Sequence, residues 1–312
     1  MPPREGAGGH SSHVATETQD RTNMARIAAG SFEVGSEDDD AIAEDGEGPV
    51  RAVELDAFLI SPTAVSNAEF ARFVADTGHR TDAERFGWSF VFQGLLPRRG
   101  GRKARRQGTS VLARHIPAAP WWIAVDGAHW RQPEGQGSDI ESRSDHPVIH
   151  VSWQDAAAYC HWADRRLPTE AEWEAAARGG LLGKRFPWGN QLRPNGAHRC
   201  NVWQGRFPDH NTGADGHIGT APVQSFAANG YGLYNVVGNV WEWCADWFGL
   251  PTASHGPLNN PAGPARGRTK VLKGGSYLCH ASYCNRYRIA ARYAATPHST
   301  SGHAGFRCAA DA

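Results

Sequence analysis

Two cysteines five positions apart, Cys279 and Cys284, are the residues of this chain best suited to redox or soft-metal chemistry. They lie in the stretch Lys273-Gly274-Gly275-Ser276-Tyr277-Leu278-Cys279-His280-Ala281-Ser282-Tyr283-Cys284-Asn285-Arg286-Tyr287-Arg288. A thiolate pair suits Cu(I), a soft ion that accepts two-coordinate sulfur ligation. Zinc wants four ligands, and no second cysteine pair or normally spaced histidine pair stands nearby. The neighbouring Arg286 and Arg288 would favour the thiolate form. On spacing alone, such a pair is structural more often than catalytic. His146 and His150 have the i, i+4 spacing of a metal pair on a helix, but Pro147 argues against a helix there, so both are read as structural. The acidic run Glu37 to Glu47 reads as a solvated loop in preference to a metal site. Pro97 to Arg106 is dense in arginine without interleaved aromatics, and reads as a flexible basic insertion instead of a nucleic-acid surface. Cys200 and Cys244 read as small buried hydrophobes.

The elements that must position the cysteine pair are short. Ala25 to Ile60 reads as strands, with Arg51-Ala52-Val53-Glu54-Leu55 partly alternating ahead of Phe58-Leu59-Ile60. Three helices carry start signals. Ser66-Asn67-Ala68-Glu69 is a capping box, and Gly78 stops that helix after Thr77. Ser152-Trp153-Gln154-Asp155 opens a second, running to about Ala163, and Thr169-Glu170-Ala171-Glu172 opens a third, ending near Gly179. Beyond Gly180, helical periodicity vanishes while glycine and proline recur, which predicts turns, short strands and long ordered loops. Metal ions are one means of pinning such loops.

At 312 residues the chain can bury a substantial core. Acidic and basic residues balance at 32 each, which gives no global electrostatic case for nucleic acid or a membrane surface. Twelve tryptophans and 36 glycines suggest a loop-rich fold in which aromatic rings supply buried area. Met1 to Asn23 is polar, with no apolar segment of a secretory signal, and no run is long enough to span a bilayer. A cytoplasmic location is therefore expected, and six cysteines are too sparse for a disulfide scaffold.

Several motifs, taken together and in order, resemble the formylglycine-generating enzymes, also called sulfatase-modifying factors, of the bacterial type. They are Arg166-Leu167-Pro168-Thr169-Glu170-Ala171-Glu172-Trp173-Glu174, Phe186-Pro187-Trp188-Gly189, Gly238-Asn239-Val240-Trp241-Glu242-Trp243, Gly274-Gly275-Ser276 with the cysteine pair, and Gly305-Phe306-Arg307-Cys308. The resemblance covers roughly residues 25 to 310. Most of these motifs argue fold, whereas the cysteine pair behind Gly-Gly-Ser is the part specific to the oxidase. The resemblance implies that Cys279 and Cys284 hold Cu(I), and that a client polypeptide carrying Cys-x-Pro-x-Arg brings a third thiolate. Dioxygen and a thiol reductant would then convert the client cysteine to formylglycine through a thioaldehyde. Ser276 matches a family hydroxyl beside the reacting centre, although a turn residue after two glycines would look the same. Trp241, Tyr283 and Arg286 are candidates for shaping the peptide groove.

Asn201, Val202, Asp215 and His217 resemble one structural calcium site of the family, and Asn235, Gly238, Val240 and Glu242 resemble a second. Calcium takes oxygen ligands of these kinds, but ordinary turn chemistry accounts for the same residues when the resemblance is set aside. Cys160 and Cys308 match positions that pair in some family members. Two departures, His298 and His303, fall where the peptide site is expected.

The sequence thus predicts a disordered N-terminal tail over residues 1–24. Residues 25–312 would form a single α+β catalytic domain of the formylglycine-generating type, loop-rich, low in regular secondary structure and resembling the C-type-lectin fold. The expected partner is an unfolded or nascent sulfatase polypeptide, with no nucleic acid or membrane, and the expected state is a monomer. Two rival readings exist. An iron-dependent sulfoxide synthase would need a His-x-x-x-His-x-Glu motif, and the nearest string, His146 to Ser152, has serine where glutamate is required. A lectin-like binding module would not need the cysteine pair.

Overall fold

The computed structural model describes residues 21–96, 115–116, 118–251 and 256–312. Most of the expected tail and the whole basic insertion, Pro97 to Arg106, lie outside the described residues. Of the tail's last residues, Arg21 is ion-paired with Asp164 and Met24 is buried.

In chain order the elements are β1 (Ala25–Ile27), β2 (Gly30–Val34), β3 (Arg51–Leu55), β4 (Phe58–Ile60), α1 (Asn67–Thr77), α2 (Asp82–Phe86), β5 (Trp88–Phe92), β6 (His115–Ile116) and β7 (Ala119–Asp126). Then follow α3 (Trp153–Trp162), α4 (Glu170–Arg178), β8 (Gly205–Arg206), β9 (His210–Asn211), β10 (Trp241–Trp247), β11 (Leu258–Asn259), β12 (Lys270–Lys273), β13 (Arg292–Ala295), β14 (Ala304–Gly305) and β15 (Ala309–Asp311). The architecture is α+β, with small sheets and long intervening loops.

The three anticipated helices start where their sequence signals stand. Ser66, Ser152 and Thr169 each accept a hydrogen bond from the amide three residues on, and the N3 carboxylate returns the contact. This satisfies amides that a helix start leaves without partners. Thr81 and Glu84 make the same box on α2, a single short turn of helix that the sequence reading missed.

The sheet that matters for the site runs in the order β13-β12-β10-β14. In it β12 lies antiparallel to β10 and β13, and β14 joins β10 in parallel, pairing Trp241 with Ala304. Thus the Trp241 motif, the strand feeding Gly274-Gly275-Ser276 and the segment before Gly-Phe-Arg-Cys meet on one sheet. A second sheet, β5-β7-β6, leans over its edge, with Phe90 bridging to Ser301.

The main core packs α1, α3 and α4 against β10 and β12 through Phe70, Tyr159, Trp173, Trp243 and Phe306. Charge is buried within it. Glu174 accepts hydrogen bonds from the Gly35 amide at 2.7 Å, Arg178 at 2.6 Å and Lys273 at 2.9 Å, and Lys273 is completely buried. Burial alone would raise the Glu174 pKa, but Lys273, Arg178 and the Gly35 amide outweigh it and hold the carboxyl at about 2. A carboxyl depressed below its ordinary value of 4.5 contributes stability above that pH. The contribution is lost as pH falls from there towards 2, and it amounts to roughly 3 kcal/mol. Glu174→Gln should therefore be less stable at neutral pH but show a shallower fall in melting temperature across that acidic window. Parallel curves for the two proteins would remove Glu174 as a source of acid lability.

No helix among the described residues is long and apolar enough to cross a membrane.

Candidate active site

The chain leaves β12 at Lys273 and turns through Gly274 and Gly275, both with left-handed backbone (φ of 90° and 74°). A Cβ on Gly274 would come within 2.7 Å of the Val236 carbonyl, and one on Gly275 within 2.5 Å of the Arg286 carbonyl. Only glycine permits both the turn and this approach of the two chain segments. The turn delivers Ser276, fully buried, whose amide lies 3.4 Å from Cys279 Sγ and donates to it. Ser276 Oγ accepts from the Leu278 amide at 3.3 Å, so the turn role is real, and the residue also lines the cavity described below. A second turn follows, in which the amides of Cys284 and Asn285 donate to the His280 carbonyl. It folds the chain back until the Cys279 and Cys284 sulfurs are 2.7 Å apart, both unbridged.

The two thiols are electrostatically unequal. Burial and the contact with Cys284 push Cys279 up. Cys284 is lowered by the sulfur contact from Cys279, against the opposing effect of burial, and then by the amide and charge of Arg286. Arg286 does what the sequence suggested, its cation sitting beside the more acidic thiol, whereas Arg288, expected to act with it, is paired with buried Glu47. Two sulfurs at one point, one of them the more acidic, form a soft donor set.

The pair opens onto a cavity of about 360 Å³. Trp241, Tyr283, Arg286 and Ser276, all anticipated, line it together with His303. Tyr283 is held at the rim by stacking on Phe207 (ring centroids 4.3 Å apart) with Trp121 edge-on. Much of the remaining wall is aromatic: Phe90 and Trp122 come from the β5–β7 sheet, and Trp243 and Tyr293 from the larger one. Sequence reasoning missed these, because nothing local to β5 or β7 marks them as neighbours of the cysteines. The His303 imidazole is held neutral by burial, with its pKa lowered to about 3, and it packs against Trp122. His298 instead bonds Asp82 and is not part of the wall.

The acidic run corrects an expectation. Part of it is solvated as expected, with Glu37, Asp38, Asp39 and Glu44 exposed, but Glu47 is fully buried on Arg288, Asp45 pairs with Arg286 and Asp40 reaches Asn285. Asp45 and Glu47 are spent on the chain segment that follows Cys284, whereas Asp40 is shared between that segment and Arg185.

The proposed calcium residues divide into two loops. Asp215 accepts hydrogen bonds from the amides of Val202 and His217, beside buried Asn201. In the second set, Asn235 donates through Nδ2 to the carbonyls of Pro222 and Val223, while its Oδ1 is buried without a partner. An orphaned amide oxygen is what a hard cation would satisfy, so the donor chemistry fits. Gly238 and Val240 lie on the same loop, and Glu242, at the start of β10, is gripped by Arg307 on both oxygens and by Trp173. Cys160 and Cys308 face each other at 3.5 Å as free thiols. Cys200 and Cys244 are buried and pushed up by burial, as small hydrophobes. His146 and His150 do not face a common point: His146 bonds Thr220, and His150, buried, bonds Ser89.

The comparisons agree with this arrangement. The model of the sulfatase-modifying factor enzyme 1-like domain matches residues 10–312. A protein named formylglycine-generating enzyme from Thermomonospora curvata is 60% identical over 92% of this chain and 93% of its own length. A relative from Bos taurus, 44% identical over 93% of this chain and 88% of its own, is named inactive C-alpha-formylglycine-generating enzyme 2. Among solved structures, PvdO from Pseudomonas aeruginosa shares the fold, with a TM-score of 0.64 at 23% identity, covering 93% of this chain and 94% of its own. With the domain matched over nearly its whole length and a relative this similar, the chain belongs to the sulfatase-modifying factor enzyme 1-like family.

Proposed function

We propose that this protein is a copper-dependent oxidase that converts the cysteine of a Cys-x-Pro-x-Arg segment in a sulfatase-type polypeptide into formylglycine. Family membership alone does not decide activity, because relatives named active and inactive both align over most of the chain. The observation that carries the reading is the contact between Cys279 and Cys284 sulfurs at the wall of an open, aromatic-lined cavity.

The two cysteines would hold Cu(I), which supplies the one-electron chemistry that lets dioxygen react with a thiol. The protein's part is geometric and electrostatic. Arg286 favours the Cys284 thiolate, and the double-glycine turn fixes Cys279 against Ser276. Ser276 Oγ can orient an oxygen species at the pair. Trp241, Tyr283 and the facing aromatics give an extended peptide apolar surface on which to lie and keep water from the sulfurs. Neutral His303 adds hydrogen-bonding capacity without a competing charge. In the overall reaction the substrate and a thiol reductant each supply half of the electrons that reduce dioxygen to water. The substrate side chain passes through a thioaldehyde, whose hydrolysis releases hydrogen sulfide and leaves the aldehyde. Calcium at the Asp215 and Asn235 loops would have a structural role, pinning chain that lacks regular hydrogen-bonded elements. We place the protein in the cytoplasm, acting as a monomer on unfolded or nascent clients.

The test is direct. A Cys-x-Pro-x-Arg peptide incubated with Cu(I)-loaded protein, reductant and oxygen should lose sulfur by mass and become reactive to a hydrazine probe. An unchanged peptide under those conditions would sink the oxidase reading.

A further inference from the structure

Cys284 sits in a segment that no sheet or helix holds. From Ala281 to Arg288 the backbone is turn and irregular chain, closed locally by amides on the His280 carbonyl, and side chains tie it to the rest of the molecule. They do so by reaching across most of the sequence to the acidic loop. Arg288 makes a two-pronged pair with buried Glu47, at 2.5 and 3.0 Å, and also donates to the Asn285 carbonyl. Arg292 donates to the Asp45 carbonyl at 2.9 Å, anchoring the loop from β13. Glu47 accepts from the Ile42 amide, closing the loop on itself. On this anchored base Asp45 Oδ2 receives Arg286 Nε at 2.5 Å, and Arg286 Nη1 donates to the carbonyl of Cys284 at 3.3 Å. A guanidinium is planar and rigid, so a carboxylate on one edge fixes the direction of the other.

From this chain of contacts we propose that Asp45 is a positioning residue for Cys284, acting through Arg286. Asp45 touches neither sulfur. It holds the guanidinium whose other edge carries the Cys284 backbone, and so sets where the thiol stands relative to Cys279. The inference deepens the proposed function and rests on it for copper, but not for the placement of the two thiols. A role through charge alone has the opposite sign. A copper ion on two thiolates carries net negative charge, so removing a neighbouring carboxylate would stabilise it.

The test uses the full chain with Asp45→Asn, Arg286→Ala, the double variant, and Glu44→Gln as an exposed neighbour in the same loop. The first measurement is Cu(I) affinity against a chromophoric Cu(I) chelator. The second needs no metal. It is the equilibrium in which Cys279 and Cys284 reduce one glutathione disulfide and close their own, read by mass on the fragment carrying both. Asp45→Asn should weaken both by about tenfold or more, the scale seen when a group supporting a ligand is removed. Glu44→Gln should change neither, Asp45→Glu should restore part of the loss, and Asp45→Asn should add nothing in the Arg286→Ala background. Unchanged or tighter copper binding with an unchanged disulfide equilibrium in Asp45→Asn overturns the proposal. Additive losses in the double variant overturn the path through Arg286. If the wild-type chain takes no Cu(I), the functional reading fails, while the glutathione equilibrium still decides the role of Asp45.

Discussion

Cys279→Ala and Cys284→Ala should each abolish tight copper binding and peptide oxidation, and the double variant should be no worse than either single one. With two protein sulfurs at one point, removing either leaves a single ligand, which cannot keep Cu(I) against competing thiols. Residues that act as one unit are non-additive in this way. Folding should survive in both, because Cys284 is only partly buried on a cavity, while Cys279, which lies in the main core, loses one small side chain at a cost of about 1–3 kcal/mol. Cys160→Ala and Cys308→Ala should behave in the reverse manner. Both thiols lie in the main core, so each variant should keep copper and activity and lose about 1–3 kcal/mol of stability. Copper per chain under thiol competition, peptide turnover and melting temperature, measured on all four, separate the two pairs. Full activity in either variant of the first pair would defeat the mechanism. Loss of copper confined to Cys160→Ala or Cys308→Ala would mean that the metal sits at the other thiol pair.

How much of this was legible in the sequence depended on how local the cause was. Three helix starts were readable, because a capping box is complete within four residues, as at Ser66 and Glu69. The box at Thr81 and Glu84 is equally complete, but α2 is too short to show any apolar periodicity beyond it. The cysteine pair was readable for the same reason: its spacing and the double glycine before it are contiguous, and a single turn brings the sulfurs together. The acidic loop was not. Locally Asp40, Asp45 and Glu47 are indistinguishable from solvated charge, and the arginines that neutralise Asp45 and Glu47 stand about 240 positions later in the chain. The cavity wall failed similarly. Phe90 and Trp122 reach the cysteines only because the β5–β7 sheet leans on the loop around Ser301, a packing event with no local sequence mark.

Glu242 shows how a residue can be assigned by family likeness and yet be held by different physics, and the two accounts predict different melting behaviour. As a calcium ligand it contributes only when the ion is present. Binding to the folded state alone stabilises by about 2.7 kcal/mol at a hundredfold excess of ion over its Kd. A strong chelator should therefore lower the wild-type melting temperature, and Asp215→Ala, which removes one of the two sites, should shrink that shift. Glu242→Ala should do something larger. Its carboxylate receives Arg307 Nε at 2.6 Å, Arg307 Nη2 at 2.8 Å and Trp173 Nε1 at 2.7 Å, and the Arg307 side chain is fully buried. Removing the acid strands a buried cation and a buried indole N–H, a loss on the order of 3–5 kcal/mol that no calcium concentration restores. The melting temperature should drop on the order of 10 °C, in chelator as well as in calcium. Superimposable wild-type curves with and without chelator would rule out stabilising calcium. If Glu242→Ala in chelator melts with the chelated wild type, the Arg307 pair is not what the residue is for, and its contribution runs through the ion alone.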